Sequence, residues 1–145
     1  MSDERLTVHV WNELPELRRL ADIVDAYFAE RNLPEPMAFQ FNLALDEILT
    51  NIISYGYLDQ ERHLIEIDLR REDGSLWVEI IDDGRPFDPL AAAAPDINAS
   101  IEQRRIGGLG IHLVKTSMDA VAYRRESDRN HLTLRKTIPG CPPAP

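Results

Sequence analysis

The chain has 145 residues, 43% of them apolar, which is enough for one core of ordinary domain size and too few for a second. Its formal charge of −9 is accompanied by no dense run of Lys or Arg, so it offers no electrostatic footprint for a nucleic-acid backbone or an anionic membrane. No stretch approaches the roughly 20 apolar residues that cross a bilayer, and the amino-terminal residues do not read as a signal peptide, so a cytoplasmic protein is expected. The single cysteine, Cys141, has no intrachain partner, and His9, His63, His112 and His131 lack the spacing of metal ligands.

Leu6, Val8 and Val10 alternate with Thr7 and His9 and predict a strand over 5–11. Asn12 is placed to cap the helix that follows, whose stripe of Leu14, Leu17, Leu20, Val24 and Phe28 ends before Pro34. A second helix is predicted from near Pro36 to about Tyr55, with Phe41, Leu45, Ile48, Leu49, Ile52 and Ile53 as its apolar face and Gly56 as its stop. Ile65, Ile67 and Leu69 then alternate with charged residues, and Glu72-Asp73-Gly74-Ser75 turns the chain into an antiparallel partner strand over 76–82.

From Asp83 to Arg105 no period survives, and so long a connection in a compact domain usually serves function; a mobile lid is expected. Gly107-Gly108-Leu109-Gly110 opens a third helix that runs to about Met118, and alternating stretches over 120–126 and 131–138 form a closing hairpin. This order predicts an α+β fold, with helices packed on one face of a mixed, mostly antiparallel sheet. Residues 139–145 form a proline-rich tail that is expected to be disordered.

Three segments carry chemistry. Glu47 and Asn51 lie four apart on the second helix and share a face, so an amide oxygen suited to Mg²⁺ stands beside a carboxylate able to accept a proton. Ile80-Ile81-Asp82-Asp83-Gly84 ends an apolar strand in an acid, which can accept a hydrogen bond from the exocyclic amine of adenine, and a glycine, which admits a flat base. Arg104-Arg105-Ile106-Gly107-Gly108-Leu109-Gly110 is a glycine-rich helix entry of the kind that cradles phosphate. Taken singly, they also fit a solvated helix face, a plain turn and a glycine-rich turn of no special purpose. The glycines do not sit in a dinucleotide-binding βαβ unit, and no Gly-Lys-Ser/Thr of a Walker A loop occurs.

In this order the segments resemble the nucleotide-binding boxes of the Bergerat-fold ATPases, the superfamily of DNA gyrase, mismatch-repair ATPases and sensor histidine kinases: Glu47-x-x-x-Asn51, Asp82-x-Gly84 and Gly108-Leu109-Gly110. The short length, the lead-in strand and helix, Asp82-Asp83-Gly84-Arg85-Pro86-Phe87-Asp88-Pro89 and Gly108-Leu109-Gly110-Ile111-His112-Leu113-Val114 are similar to the anti-sigma-factor serine kinase branch. The resemblance implies a histidine-kinase-like ATPase domain over 1–138, a two-layer α/β sandwich of Bergerat type. It implies ATP as substrate, Mg²⁺ held by Asn51, Glu47 as general base for a serine hydroxyl, Asp82 as the reader of adenine and Gly84 as shaper of the base pocket. It places Arg105 and the backbone of Gly107, Gly108, Leu109 and Gly110 at the phosphates, and Thr133 near the nucleotide. Pro86 and Ile106 depart from it, standing where relatives commonly carry further glycines, so the lid is expected to differ.

The resemblance also implies partners: a STAS-type anti-anti-sigma protein that receives the phosphate, a sigma factor held in the other partner state, and a second copy of the chain in a homodimer. An alternative is a regulatory module in which ATP orders the lid and switches affinity for a sigma factor or another protein without catalysis. A detached histidine-kinase catalytic domain is a third reading, and it needs a phospho-acceptor helix in another chain.

Overall fold

The computed structural model describes residues 5–88, 91 and 108–140. Most of the expected lid, including Arg105, lies outside the described residues, as do Gly107 at the expected entry of the third helix and the tail from Cys141 onward. The elements in order are β1 (Arg5–Trp11), α1 (Glu16–Glu30), α2 (Glu35–Tyr55), β2 (Leu64–Glu72), β3 (Ser75–Asp82), α3 (Gly108–Ser117), β4 (Ala120–Glu126) and β5 (Arg129–Thr137). The strands form one five-stranded sheet in the order β1-β2-β3-β5-β4, and every pairing is antiparallel.

Both hairpins close with two residues in left-handed conformation, Asp73 and Gly74 at φ 54° and 76° and Ser127 and Asp128 at φ 54° and 61°. Such turns match the right-handed twist of the strands they join. The alternation in the sequence decides which face each side chain takes. Ile65, Ile67 and Leu69 of β2, Leu76, Val78 and Ile80 of β3, and Leu132 and Leu134 of β5 are all buried, and they form one cluster with Leu20, Val24 and Phe28 of α1 and Phe41, Leu45, Ile48 and Leu49 of α2. The helices therefore cover this face of the sheet. The rings of Phe28 and Phe41 lie 5.9 Å apart at the centre of the helix layer. The opposite face is polar: Arg5 closes on the buried Asp68 at 2.6 Å, and Trp77 lies between the guanidiniums of Arg70 and Arg135.

Asn12 does not cap α1. Its amide accepts from the His63 N–H at 2.9 Å and donates to the Glu61 carbonyl at 3.3 Å, tying the end of β1 to the entry of β2. The helix begins after Pro15 with no side-chain cap. Its first turn serves β1 instead: Glu16 accepts from the Trp11 N–H at 3.0 Å, and Arg19 donates to the His9 carbonyl at 2.7 Å and to Glu16 at 3.0 Å. These contacts hold the Glu16 carboxyl down at about 2, with the bond from Arg19 as the largest cause and that from the Trp11 backbone next.

Candidate functional site

Glu47, Asn51 and Tyr55 follow one another at four-residue steps and so line one face of α2 over about 12 Å of axis. At the amino-terminal end of this line, Glu47 meets α3. Gly110, in the first turn of α3, lies so close that a methyl group added to it would occupy the space of the Glu47 carboxylate. Gly108 and Leu109 open the same turn. The first backbone N–H groups of a helix have no partners within it and carry its positive dipole end, so this is where anionic phosphate is best held.

At the other end, α2 meets the turn after β3. The Arg85 N–H donates to the Gly56 carbonyl at 2.9 Å and the Arg85 Nε to the Tyr55 carbonyl at 2.7 Å. Gly84 presses on the Gly56 carbonyl so closely that no Cβ fits between them. Asp82 has the same parity as Val78 and Ile80, so its carboxylate points in under the helices and is only 3% exposed. Its Oδ1 accepts from the Gly84 N–H and from Asn130 Nδ2, each at 2.9 Å. Burial pushes the Asp82 carboxyl up, and the bonds from Asn130 and Gly84 oppose that rise.

Asn51 stands midway along the line. It is 7% exposed, and among the described residues nothing hydrogen-bonds to its side chain. Its amide atoms keep access to solvent, so a ligand can reach them. Its carbonyl oxygen is a donor type that Mg²⁺ takes, and the remaining positions on that ion ordinarily go to water and nucleotide phosphates. The residues present therefore fit a magnesium nucleotide between Gly84 and Gly110.

The structure thus brings Glu47, Asn51, Asp82, Gly84 and Gly110 to one cleft along α2. Arg105 and Gly107 lie outside the described residues. Thr133 is not brought to this cleft. Leu132 and Leu134 on either side of it point into the core, so Thr133 faces the opposite surface of the sheet, where it pairs with Glu79 in register and its Oγ1 lies 3.5 Å from that carboxylate. The β5 residue that does reach Asp82 is Asn130. The sequence reading missed it, although Asn130 shares the inward parity of Leu132 and Leu134 and is therefore a polar residue in a core position.

Beside Asp82, Asp83 turns outward to His63, 3.3 Å from Nδ1, while Asp59 meets Nε2 at 2.9 Å. A carboxylate on each ring nitrogen raises the His63 pKa, Asp59 contributing most, and so favours the doubly protonated ring. Tyr57 stacks on that ring at 4.5 Å between centroids. Burial, followed by the neighbouring carboxylates of Asp82, Asp83 and Asp59, raises its hydroxyl pKa. The cleft is thus walled on this side by an ion cluster linking the α2–β2 connection to the end of β3.

Residues 10–136 match the family model of the histidine kinase-like ATPase domain. The serine/threonine-protein kinase BtrW of Bordetella bronchiseptica is 33% identical over 98 residues, 68% of this chain and 69% of that protein. An anti-sigma F factor of Clostridium botulinum is 29% identical over 59% of this chain and 60% of its own length. The serine-protein kinase RsbW of Listeria monocytogenes is 30% identical over 54% and 53% respectively. The crystal structure of the RsbU and RsbW domains of Rv1364c from Mycobacterium tuberculosis shares the fold, with a TM-score of 0.65 and 13% identity over 97% of this chain and 33% of that one. With the nucleotide boxes along one side of α2 and the match running from the end of β1 through β5, the chain belongs to the histidine kinase-like ATPase family, in its anti-sigma-factor serine kinase branch.

Proposed function

We propose that this chain transfers the γ-phosphate of ATP to a serine or threonine hydroxyl of a STAS-type anti-anti-sigma protein and holds a sigma factor in its other partner state. In this reading it works in the cytoplasm as a homodimer. The observation that carries it is the line along α2, with a carboxylate at the phosphate end, an amide that no described residue hydrogen-bonds at the centre and a buried acid at the base end.

Asp82 accepts a hydrogen bond from the exocyclic amine of adenine, and Gly84 leaves room for the base. The amino-terminal turn of α3 orients the phosphates. Mg²⁺, when bound at the Asn51 amide oxygen, neutralises phosphate charge. Glu47 accepts the proton of the attacking hydroxyl as its oxygen bonds to the γ-phosphorus; the bond to the bridging oxygen breaks and ADP leaves. No helix among the described residues is long and apolar enough to cross a membrane.

Labelled-ATP transfer to a STAS-fold protein, measured beside ATP affinity, tests these roles. Glu47→Ala is expected to bind ATP nearly as wild type does and to lose transfer by about 10²- to 10⁴-fold. Asn51→Ala is expected to lose the gain in ATP affinity that Mg²⁺ provides. Transfer unchanged in Glu47→Ala removes Glu47 from the mechanism, and a nucleotide-dependent complex to which no label moves makes the chain a binding module.

A further inference from the structure

Asn130 is 3% exposed, and both polar atoms of its side chain are engaged. Its Nδ2 donates to Asp82 Oδ1 at 2.9 Å and to the Arg85 carbonyl at 2.8 Å. Its Oδ1 accepts from the Tyr123 hydroxyl at 2.5 Å, from Arg125 Nη1 at 3.2 Å and from the Phe87 N–H at 3.3 Å. Arg125 and the Phe87 N–H can only donate, while the Asp82 carboxylate and the Arg85 carbonyl accept, so one orientation of the amide satisfies all five neighbours and the flipped one sets like against like. The edge strand β4, through Tyr123 and Arg125, thereby dictates what Asn130 presents to Asp82. Arg125 also donates to the Gly84 carbonyl at 2.8 Å, which pins the adjoining turn.

We infer that Asn130 is a positioning residue that sets base specificity: by donating to Oδ1 it holds Asp82 as an ionised acceptor whose Oδ2 selects a 6-aminopurine over a 6-oxopurine. This rests on the ATP-binding reading above. With Oδ1 taken by two donors, Oδ2 has no hydrogen bond among the described residues and is the oxygen left for the base. An exocyclic amine donates to it; a carbonyl at the same ring position would oppose it. Ionisation has to be defended, because burial and the neighbouring Asp83 raise the Asp82 pKa, while Asn130, Gly84 and Arg125 lower it. Tyr57, from the α2–β2 connection, faces the same carboxylate and supplies no charge while its hydroxyl stays protonated.

The test compares the affinities of ATP and inosine triphosphate, which carries oxygen in place of the C6 amine, with Mg²⁺ present, for wild type and Asn130→Asp. That variant keeps the side-chain shape and removes the donor. Wild type is expected to prefer ATP by about 10- to 100-fold, the worth of a hydrogen bond to a charged group. In Asn130→Asp two carboxyls share a proton, so Asp82 can present an O–H, the preference is expected to shrink to about threefold or less, and the ATP affinity is expected to depend on pH more steeply than in wild type. Loss of fold alone would weaken both nucleotides together and leave their ratio unmoved.

If Asn130→Asp does not fold, Tyr123→Phe removes one donor from Asn130 Oδ1 and is expected to narrow the preference by about two- to fivefold. A preference unchanged in the folded variants, or equal affinity of wild type for the two nucleotides, overturns the inference and leaves ATP binding standing. Wild type that binds neither nucleotide overturns the ATP reading and this inference with it.

Discussion

Two glycines of the cleft lack a side chain for different reasons, and substitution separates them. At Gly110 the obstacle to a Cβ is the end of the Glu47 side chain, which can rotate away; at Gly84 it is the Gly56 carbonyl, fixed in the backbone. Gly110→Ala is expected to fold with near-normal thermal stability but to lose phosphate transfer by about tenfold or more, since small displacements of a catalytic group are costly. Gly84→Ala is expected to lose about 1–3 kcal/mol of stability, as overpacking at a point that cannot relax does. Thermal melts and the transfer assay, run on both, distinguish the two. Spacing made it legible that Glu47 and Asn51 share a helix face and that Asp82 ends an apolar strand, while their meeting was implied only by the resemblance of the three segments to a family's boxes. Asn130 was not legible, because its partners Tyr123, Arg125 and Asp82 come from two other strands and their meeting depends on β5 lying between β3 and β4.

Each described element was legible in its period of apolar residues, and the differences lie at the ends. Asn12 looks like a helix cap, but its amide is claimed by the His63 N–H and the Glu61 carbonyl across the β1–β2 pairing, partners that no local pattern reveals. β5 begins at Arg129, ahead of the His131 expected, because Ser127 and Asp128 form the tight turn without a glycine. The first turn of α1 is bound to β1 through Glu16, and this makes its contribution pH-dependent. Its carboxyl lies at about 2 in the folded protein against an ordinary 4.5, so the stabilisation is complete above about 4.5 and is lost as pH falls toward 2. Glu16→Gln is therefore expected to melt below wild type near pH 7, by about 1–4 °C for a chain of this size, with the gap closing as the pH approaches 2. Melting curves over that range check both the sign and the window.

At the scale of the molecule, one core unites four strands, β1, β2, β3 and β5, with both long helices, and Phe41, fully buried against Phe28, lies in its middle. Phe41→Ala is expected to cost about 3–5 kcal/mol, a large fraction of what a domain of this size has, and urea denaturation measures it. The loss should appear as one cooperative transition, because the helices and the sheet have no separate cores. Of the four antiparallel pairings, β2–β3 and β4–β5 follow from hairpins whose short turns permit nothing else, while β1–β2 and β3–β5 are reached through long connections. The Glu16–Arg19 pair has a last consequence for how this sheet can grow. By filling the outward N–H of Trp11 and carbonyl of His9, two side chains occupy hydrogen-bonding sites that an added strand would need. A foreign backbone aligning there must first evict an ion pair, which guards that margin of the protein against fibrillar stacking.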